Sequence, residues 1–334
     1  MGQCAHLRNY GTIAGCSVVA LAEPRPGLAR SVAARYGVRA VYPDAESMVA
    51  AERLDALVAP QPFERHGSLV EPLYRFGLPI LTEKPLASSV EVGERMLASL
   101  AAGGSWHMVG YHKRSDPATE VALAEIDRLK ASGELGKLRY IRVTMPEGDW
   151  IAEGFVDLIR SAEPVPLVPA DAASPDMDAD TFRSYVTFVN YYIHQVNLLR
   201  HLLGEPYRVT FADPAGVIMA IESESGVPGV LEMSPYKTSI DWQESALIAF
   251  EHGYVKLELP APLAASRPGR VEIFRDPSGG HPETVVPQLP WLHAMRRQAE
   301  NFVAAVRGER RPPCEAAEAL EDLRIARDYI RLLG

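Results

Sequence analysis

Two stretches of the chain carry residue types suited to proton and charge chemistry at a small-molecule site. The first is TEKPLASS, where Lys84 stands between Glu83 and Pro85 directly after the apolar run LPIL. A lysine just past a parallel strand points its ammonium into the crevice outside the carboxyl end of the sheet. The proline after it disfavours the helical region for Lys84. A plain surface lysine is the alternative. The second stretch is FVNYYIHQVNLLRHLLGEP, in which Asn190, His194, Asn197 and His201 recur at spacings of four, three and four. Those spacings share one helix face. The stripe reads either as a solvated face or, since it holds no Asp, Glu or Lys, as the lining of a cleft. No carboxylate or cysteine completes a metal ligand set there.

Both stretches need elements to position them. From residue 17 to 115 short apolar runs alternate with helical patterns: SVVALAE, then PGLARSVAARYGV stopping at Gly37, then DAESMVAAE behind the N-cap candidate Asp44, then LDALVAP. FERHGSLVEPLYRFG reads as a helix, LPILTEKP as a strand, SSVEVGERMLASLAAGG as a helix capped by Ser88 or Ser89, and WHMVGYH as a further strand. Strand and helix alternating at this pace predict parallel pairing through right-handed crossovers. The opening MGQCAHLRNYG looks like a helix that follows a tight glycine turn at Gly2, and VVALAEPRPG like a strand ending in an acid. That pairing suggests a dinucleotide-binding unit.

From about residue 138 the texture changes to period-2 alternation, as in YVKLELP and RVEIFRD, with hairpin-length connections. This predicts an antiparallel sheet of about six to seven strands, one face covered by helices. Two helical patterns, LHAMRRQAENFVAAVRG and CEAAEALEDLRIARDYIRLL, close the chain. Between the halves RSAEPVPLVPADAASPDMDADT, rich in Pro, Ala and Asp, reads as a solvated, partly disordered insertion, with a lid over the site as the other reading.

A chain of 334 residues accommodates two domains of ordinary size. The net charge of −9 argues against nucleic acid or an anionic membrane as partner, because both require a basic footprint. Cys4, Cys16 and Cys314 form no CxxC pair, give no metal motif and fit a reducing compartment. No apolar run approaches a membrane helix and the N-terminus has no signal-peptide layout, so a cytoplasmic enzyme of small molecules is expected.

Taken in order, AEPRPGLARSVAARYGV, PQPFERHG, TEKPLA, GYHKRSDP with the following helix and SGELG, and NYYIHQVNLLRHLLGEP resemble the glucose–fructose oxidoreductase/inositol dehydrogenase (Gfo/Idh/MocA) family over nearly the whole chain. The resemblance implies an α/β protein. A Rossmann domain over residues 1–116 would bind NAD(P), and a C-terminal α/β domain over 117–334, with a large, mainly antiparallel open sheet, would serve substrate and oligomerisation. Substrate would lie at the interface, and the protein would be a homodimer or homotetramer. The implied reaction is hydride transfer between nicotinamide and a secondary hydroxyl of a sugar, cyclitol or derivative. NAD-assisted elimination or glycoside hydrolysis, or a non-catalytic sugar or nucleotide sensor, are the alternatives.

Residue by residue, Lys84 matches the lysine that polarises the reacting oxygen and contacts the nicotinamide side, with Glu83 beside it as a further cofactor contact. His194 matches the histidine that exchanges the hydroxyl proton, a role suited to an imidazole near its reference pKa. Glu23, 21 residues after Gly2, would hold the adenosine ribose hydroxyls and favour NAD, while Arg25 could shift the preference toward NADP. Gln61, Pro62 and His66 match the segment beneath the nicotinamide ribose. His112, Lys113 and Arg114 are expected to line the substrate cleft. Trp150 and Trp242 are candidate sugar-stacking surfaces or core aromatics, with Tyr192 and Lys237 as lesser candidates.

Two departures stand out. Asn190 occupies the place of an aspartate in many relatives; an amide can fix the imidazole tautomer but cannot steady an imidazolium. The strand and glycine-rich turn that precede the first helix in the family are missing, about ten residues in all, and Gly2 stands where the last glycine belongs. A start codon placed late, or a fragment, is the expectation that follows.

Overall fold

The computed structural model describes residues 1–277 and 279–334. The chain forms two compact units. Met1–Gly110, Glu153–Met177 and Gln298–Leu320 make the first; Tyr111–Ala152, Asp178–Arg297 and Glu321–Gly334 make the second. The division thus falls at 110/111, a little ahead of the expected 116/117, and two later stretches return to the first unit.

The first unit opens with a π-helical turn, Gly2–Leu7, running into α1 (Arg8–Tyr10). Then come β1 (Ala20–Ala22), α2 (Pro26–Tyr36), β2 (Ala40–Tyr42), α3 (Ala45–Ala51), β3 (Leu57–Ala59), α4 (His66–Leu69), β4 (Ile80–Glu83), α5 (Val90–Gly103) and β5 (His107–Gly110). Local chemistry explains the boundaries. Gly37 ends α2 in the left-handed region at φ 67°, where a Cβ is disfavoured. Asp44 caps α3 by accepting from Ser47 N at 2.7 Å. Ser89, rather than Ser88, caps α5 through Val92 N. FERHGSLVEPLYRFG is not one helix: it breaks into the 3₁₀ turn Phe63–Arg65, α4, and the 3₁₀ stretch Glu71–Phe76. Pro72 has no amide N–H to continue an α-helical ladder.

All strand pairs of this unit are parallel. β1 and β2 form one sheet; β3, β4 and β5 form another with β4 in the middle. Among the described residues no strand pairs with the outer edge of β1 or of β3. Tyr10, Leu81, Met108, Ala299 and Phe302 form an apolar cluster with Trp106, Val58 and Val303 packed against it. Each such buried large side chain stabilises by about 1.5–3 kcal/mol. Val109 N donates to Cys314 O at 3.0 Å, so the returning Gln298–Leu320 stretch is tied to β5.

Glu153–Met177 contains no helix or strand and is largely exposed, as expected of a solvated insertion, yet hydrogen bonds fasten it to the first unit at several points. Gln3 and Ile159 exchange two hydrogen bonds. Arg35 donates to Asp157 O, Arg65 to Val168 O and Ser174 to the Glu91 carboxylate. The Asp171 carboxylate accepts from Gly67 N and Ser68 Oγ. Polar contacts of this range leave no periodicity in the sequence.

The second unit is built on one eight-stranded sheet in the order β13-β12-β11-β10-β6-β9-β8-β7. Its strands are β6 (Leu138–Glu147), β7 (Tyr207–Ala212), β8 (Ile218–Ser223), β9 (Pro228–Lys237), β10 (Glu244–Phe250), β11 (Gly253–Leu259), β12 (Arg270–Arg275) and β13 (Glu283–Val285). Among the described residues only β6 and β9 of this sheet pair in parallel; the remaining neighbours are antiparallel. The count exceeds the expected six to seven because the three-residue β13 is too short to show alternation. Val255, Leu257 and Leu259 of β11 are buried, whereas Lys256 and Glu258 are half-buried on the opposite face. Against the buried face pack α6 (Pro117–Ser132), on β11 and β12, and α7 (Ala179–Leu203), on β6 and β9. The chain closes with α8 (Ala294–Val306) and α9 (Ala316–Leu332). Among the described residues no helix is long and apolar enough to cross a membrane. All three cysteines are free thiols.

Candidate functional site

In the first unit the candidate residues collect at the carboxyl ends of the parallel strands. Lys84 is half-buried, directly after the central strand β4, and its peptide bond to Pro85 is cis. Beside it the Glu83 carboxylate accepts from His6 Nε2 at 2.8 Å, and the His6 ring stacks on Tyr10. Glu83 is therefore held by α1's neighbour turn. Glu23 follows β1 and its N–H donates to Tyr42 O, extending the β1–β2 pairing by one residue. Its carboxylate takes both arms of the Arg25 guanidinium, at 2.7 and 2.9 Å, and the Arg25 N–H as well. This fork ties together the two residues expected to pull cofactor preference in opposite directions. Gln61 and Pro62 are exposed. Gly2, half-buried, begins the first helical turn and lies against Pro60.

His66 has a different place from the one expected. It is fully buried, with Nδ1 2.9 Å from Leu86 O and Nε2 3.2 Å from Gln61 O. Both ring nitrogens face backbone carbonyls, so the imidazole acts as a clasp between the segment after Lys84 and the segment at Gln61. Burial pushes its pKa down. A second buried histidine, His107 on β5, bridges the hydroxyls of Tyr74 and Thr82, each at 2.8 Å, and burial lowers it to about 3.

In the second unit α7 carries His194, buried, edge-on to His112 at 4.4 Å and to Tyr111 at 5.7 Å between ring centroids. Asn190, one turn earlier, is exposed. The rest of the stripe turns inward rather than lining a cleft. Asn197 accepts from Arg114 Nε at 2.7 Å and donates to Asp322, which also holds Arg200. His201 is lowered to about 3 by burial and by Arg114 and Arg200. Arg114 is therefore an interior residue of the Asn197–Asp322 network, not a cleft residue.

Lys113 is buried too. Its ammonium pairs with the Glu244 carboxylate and lies over the Trp242 ring at 5.4 Å. Glu244 further accepts from Gln195 Nε2 at 2.8 Å and Trp242 Nε1 at 3.1 Å. Burial pushes the Lys113 pKa down although Glu244 pulls it up. Trp242 thus has one face and its N–H engaged internally, while Trp150 is more than a third exposed. The Tyr192 hydroxyl bonds Ser234 Oγ at 2.7 Å, and Lys237 pairs with Glu147 at the surface.

Sequence reading missed Glu244 and Gln195. A signal existed for Glu244: in ESALIAF it shares the inward parity of Ala246, Ile248 and Phe250, so an acid stands where the pattern demands a buried side chain. Gln195 follows His194 on the buried flank of α7, and nothing in its neighbours marks it. Among the described residues no group of three or more His, Cys, Asp or Glu is placed to hold a metal ion.

Comparison with known proteins adds to this geometry. Residues 3–111 match the profile of an oxidoreductase family with an NAD-binding Rossmann fold. The chain is 28% identical over 322 residues to an inositol 2-dehydrogenase of Rhizobium meliloti, covering 90% of this chain and 84% of that one. It is 25% identical over 244 residues to the scyllo-inositol 2-dehydrogenase (NAD(+)) of Bacillus subtilis, covering 69% of this chain and 63%, under two thirds, of that relative. A crystal structure of an oxidoreductase from Agrobacterium radiobacter in complex with NAD+, L-tartaric acid and magnesium superposes with a TM-score of 0.68 at 16% identity, covering 99% and 93% of the two chains. That likeness concerns the fold.

Proposed function

We propose that the chain, whose residues 3–111 match an NAD-binding oxidoreductase family and which resembles inositol 2-dehydrogenases over most of its length, is a Gfo/Idh/MocA-type oxidoreductase that moves hydride between a nicotinamide dinucleotide and a secondary hydroxyl of a sugar, cyclitol or related polyol. The observation that carries the reading is the placement of Lys84, half-buried at the carboxyl end of the central parallel strand, between a pinned Glu83 and Pro85. The residues fit a dinucleotide. Glu23 supplies an acid for ribose hydroxyls, and exposed Gln61 and Pro62 offer a surface for the nicotinamide half. Bound there, the nicotinamide supplies the hydride acceptor.

The chain's own residues do the rest. The Lys84 ammonium donates to the reacting oxygen and offsets its alkoxide charge. His194 takes the hydroxyl proton, held edge-on by His112 and Tyr111. Asn190, one turn away on α7, offers an amide to orient ring or substrate without adding charge. The inositol dehydrogenases among the relatives make cyclitols the first substrates to try. Self-association into a dimer or tetramer belongs to the same reading and is checked by sedimentation.

Calorimetric titration of NAD+ and NADP+ into the chain, followed by an absorbance screen of inositols and aldoses, tests the function. Cofactor binding with turnover of at least one polyol is expected. Binding with no nicotinamide reduction across the panel would redirect the reading to a reaction without net redox change.

A further inference from the structure

The carboxylate of Glu163 rests on the first turn of α2. Oε1 accepts from Gly27 N at 2.9 Å, Oε2 from Leu28 N at 2.8 Å, and Ser161 Oγ donates to Oε2 at 2.9 Å. The first amides of a helix have no partner within it, and the dipole favours negative charge there. Arg25, at the N-cap, contributes no side-chain cap. Glu163, 136 positions beyond Gly27 in sequence, does so instead. Gly27 admits it: a Cβ at that position would lie 2.8 Å from Glu163 Oε2.

This anion is fixed rather than dangling. The segment that carries it is tied down before Glu163, where Gln3 holds Ile159 and Arg35 holds Asp157 O, and after it, where Arg65 holds Val168 O. It is also placed at a particular corner. α2 leaves the carboxyl end of β1 through Glu23 and Arg25, and the Arg25 charge feels both the Glu23 and the Glu163 carboxylates. In dinucleotide-binding sheets this corner receives the adenosine ribose, and a 2′-phosphate there is met by an arginine and by helix amides. Here the amides are taken by Glu163 and the arginine by Glu23.

Resting on the dinucleotide-binding reading above, we propose that Glu163 sets cofactor choice: parked on the α2 amides, it denies them to a 2′-phosphate and selects NAD over NADP. It does so from a segment outside the strand–helix unit that forms the corner. Glu23 contributes at the ribose hydroxyls, whereas Glu163 acts on the 2′-phosphate alone. Its removal therefore changes one affinity and leaves the other.

The test is calorimetric titration of NAD+ and NADP+ into the full chain as wild type, Glu163→Gln and Glu163→Ala, with thermal melts as the folding control. Opening the two amides and removing one like charge should tighten NADP+ by about tenfold in Glu163→Ala, with NAD+ affinity within about threefold of wild type. Glu163→Gln keeps the size and one acceptor, should give an intermediate gain, and carries the test if the alanine variant melts early. An NADP+/NAD+ affinity ratio unchanged in the folded variants, with NAD+ still bound, overturns the role of Glu163 and leaves the functional reading standing. Failure of wild type and variants alike to bind either dinucleotide overturns the functional reading, and the proposal with it.

Discussion

Lys113 and Glu244 form an ion pair whose side chains are 4% and 0% exposed, in a unit where both are also committed to neighbours of His194. Gln195, adjacent to His194 on α7, donates to the same carboxylate, and Lys113 follows His112, which packs on the His194 ring. The pair therefore braces the imidazole from two sides while standing apart from the reacting groups.

Breaking it is expected to be costly. Lys113→Met or Glu244→Gln alone leaves a partner buried without its counter-charge and should destabilise by about 3–5 kcal/mol. The double variant should cost clearly less than the sum, because no uncompensated charge remains. Urea unfolding of the four proteins measures this directly; strictly additive losses would mean that the two groups do not depend on each other.

Acid should loosen the first unit. His107 has a folded pKa of about 3, below its value of about 6.5 in an unfolded chain, because burial disfavours its charged form. Its contribution to stability is thus complete above about pH 6.5 and is lost as pH falls toward 3, at up to about 1.4 kcal/mol per pH unit. His66, lowered by burial as well, acts in the same direction. Urea midpoints at neutral pH and at about pH 5 should differ accordingly. His107→Gln, which can still bond one hydroxyl, should flatten that difference.

For the reaction, Lys84→Met and His194→Asn should each lower kcat/KM by about 10²–10⁴. NAD+ affinity should change less than turnover in His194→Asn, since the proposed reaction gives that residue the proton. Retention of near wild-type turnover in a folded His194→Asn would remove it from the mechanism.

Gly110 offers a probe of how Lys84 is positioned. It pairs with Glu83 across β4 and β5, and a Cβ there would lie 2.8 Å from Thr82 O and 3.3 Å from Glu83 Cα. Those are backbone atoms of the adjoining strand and cannot swing away. Gly110→Ala should cost about 1–3 kcal/mol and lower turnover by displacing the residue next to Lys84. Thermal melts and steady-state kinetics on the same preparation check both effects.

Much of this architecture was legible in the residues. Capping at Asp44 and the stop at Gly37 are local events, set by one side chain or one positive φ, and alternation in YVKLELP is local too. The candidate site was legible in part. Lys84 and His194 stand out by residue type at strand end and helix face. Arg114 and Asn197 look the same on the page as cleft residues, yet Asp322, over a hundred residues on, turns them into interior structure. Glu163 is harder still: nothing near it in RSAEPVPL hints at Gly27 and Leu28. Pairings between distant polar groups have no periodicity to read, so they become visible only in three dimensions.

The path of the chain has its own consequence for how the molecule is made. It passes between the units at 110/111, 152/153, 177/178, 297/298 and 320/321. During synthesis the parallel strands of the first unit emerge early, but the stretch that gives Phe302 to their apolar cluster and Cys314 O to β5 emerges only after the whole sheet of the second unit. A nascent chain therefore carries Leu81 and Met108 incompletely covered until that stretch has been made. Such late completion favours chaperone engagement and aggregation in the interval. It also means that neither unit can be cut from the chain as a single contiguous piece.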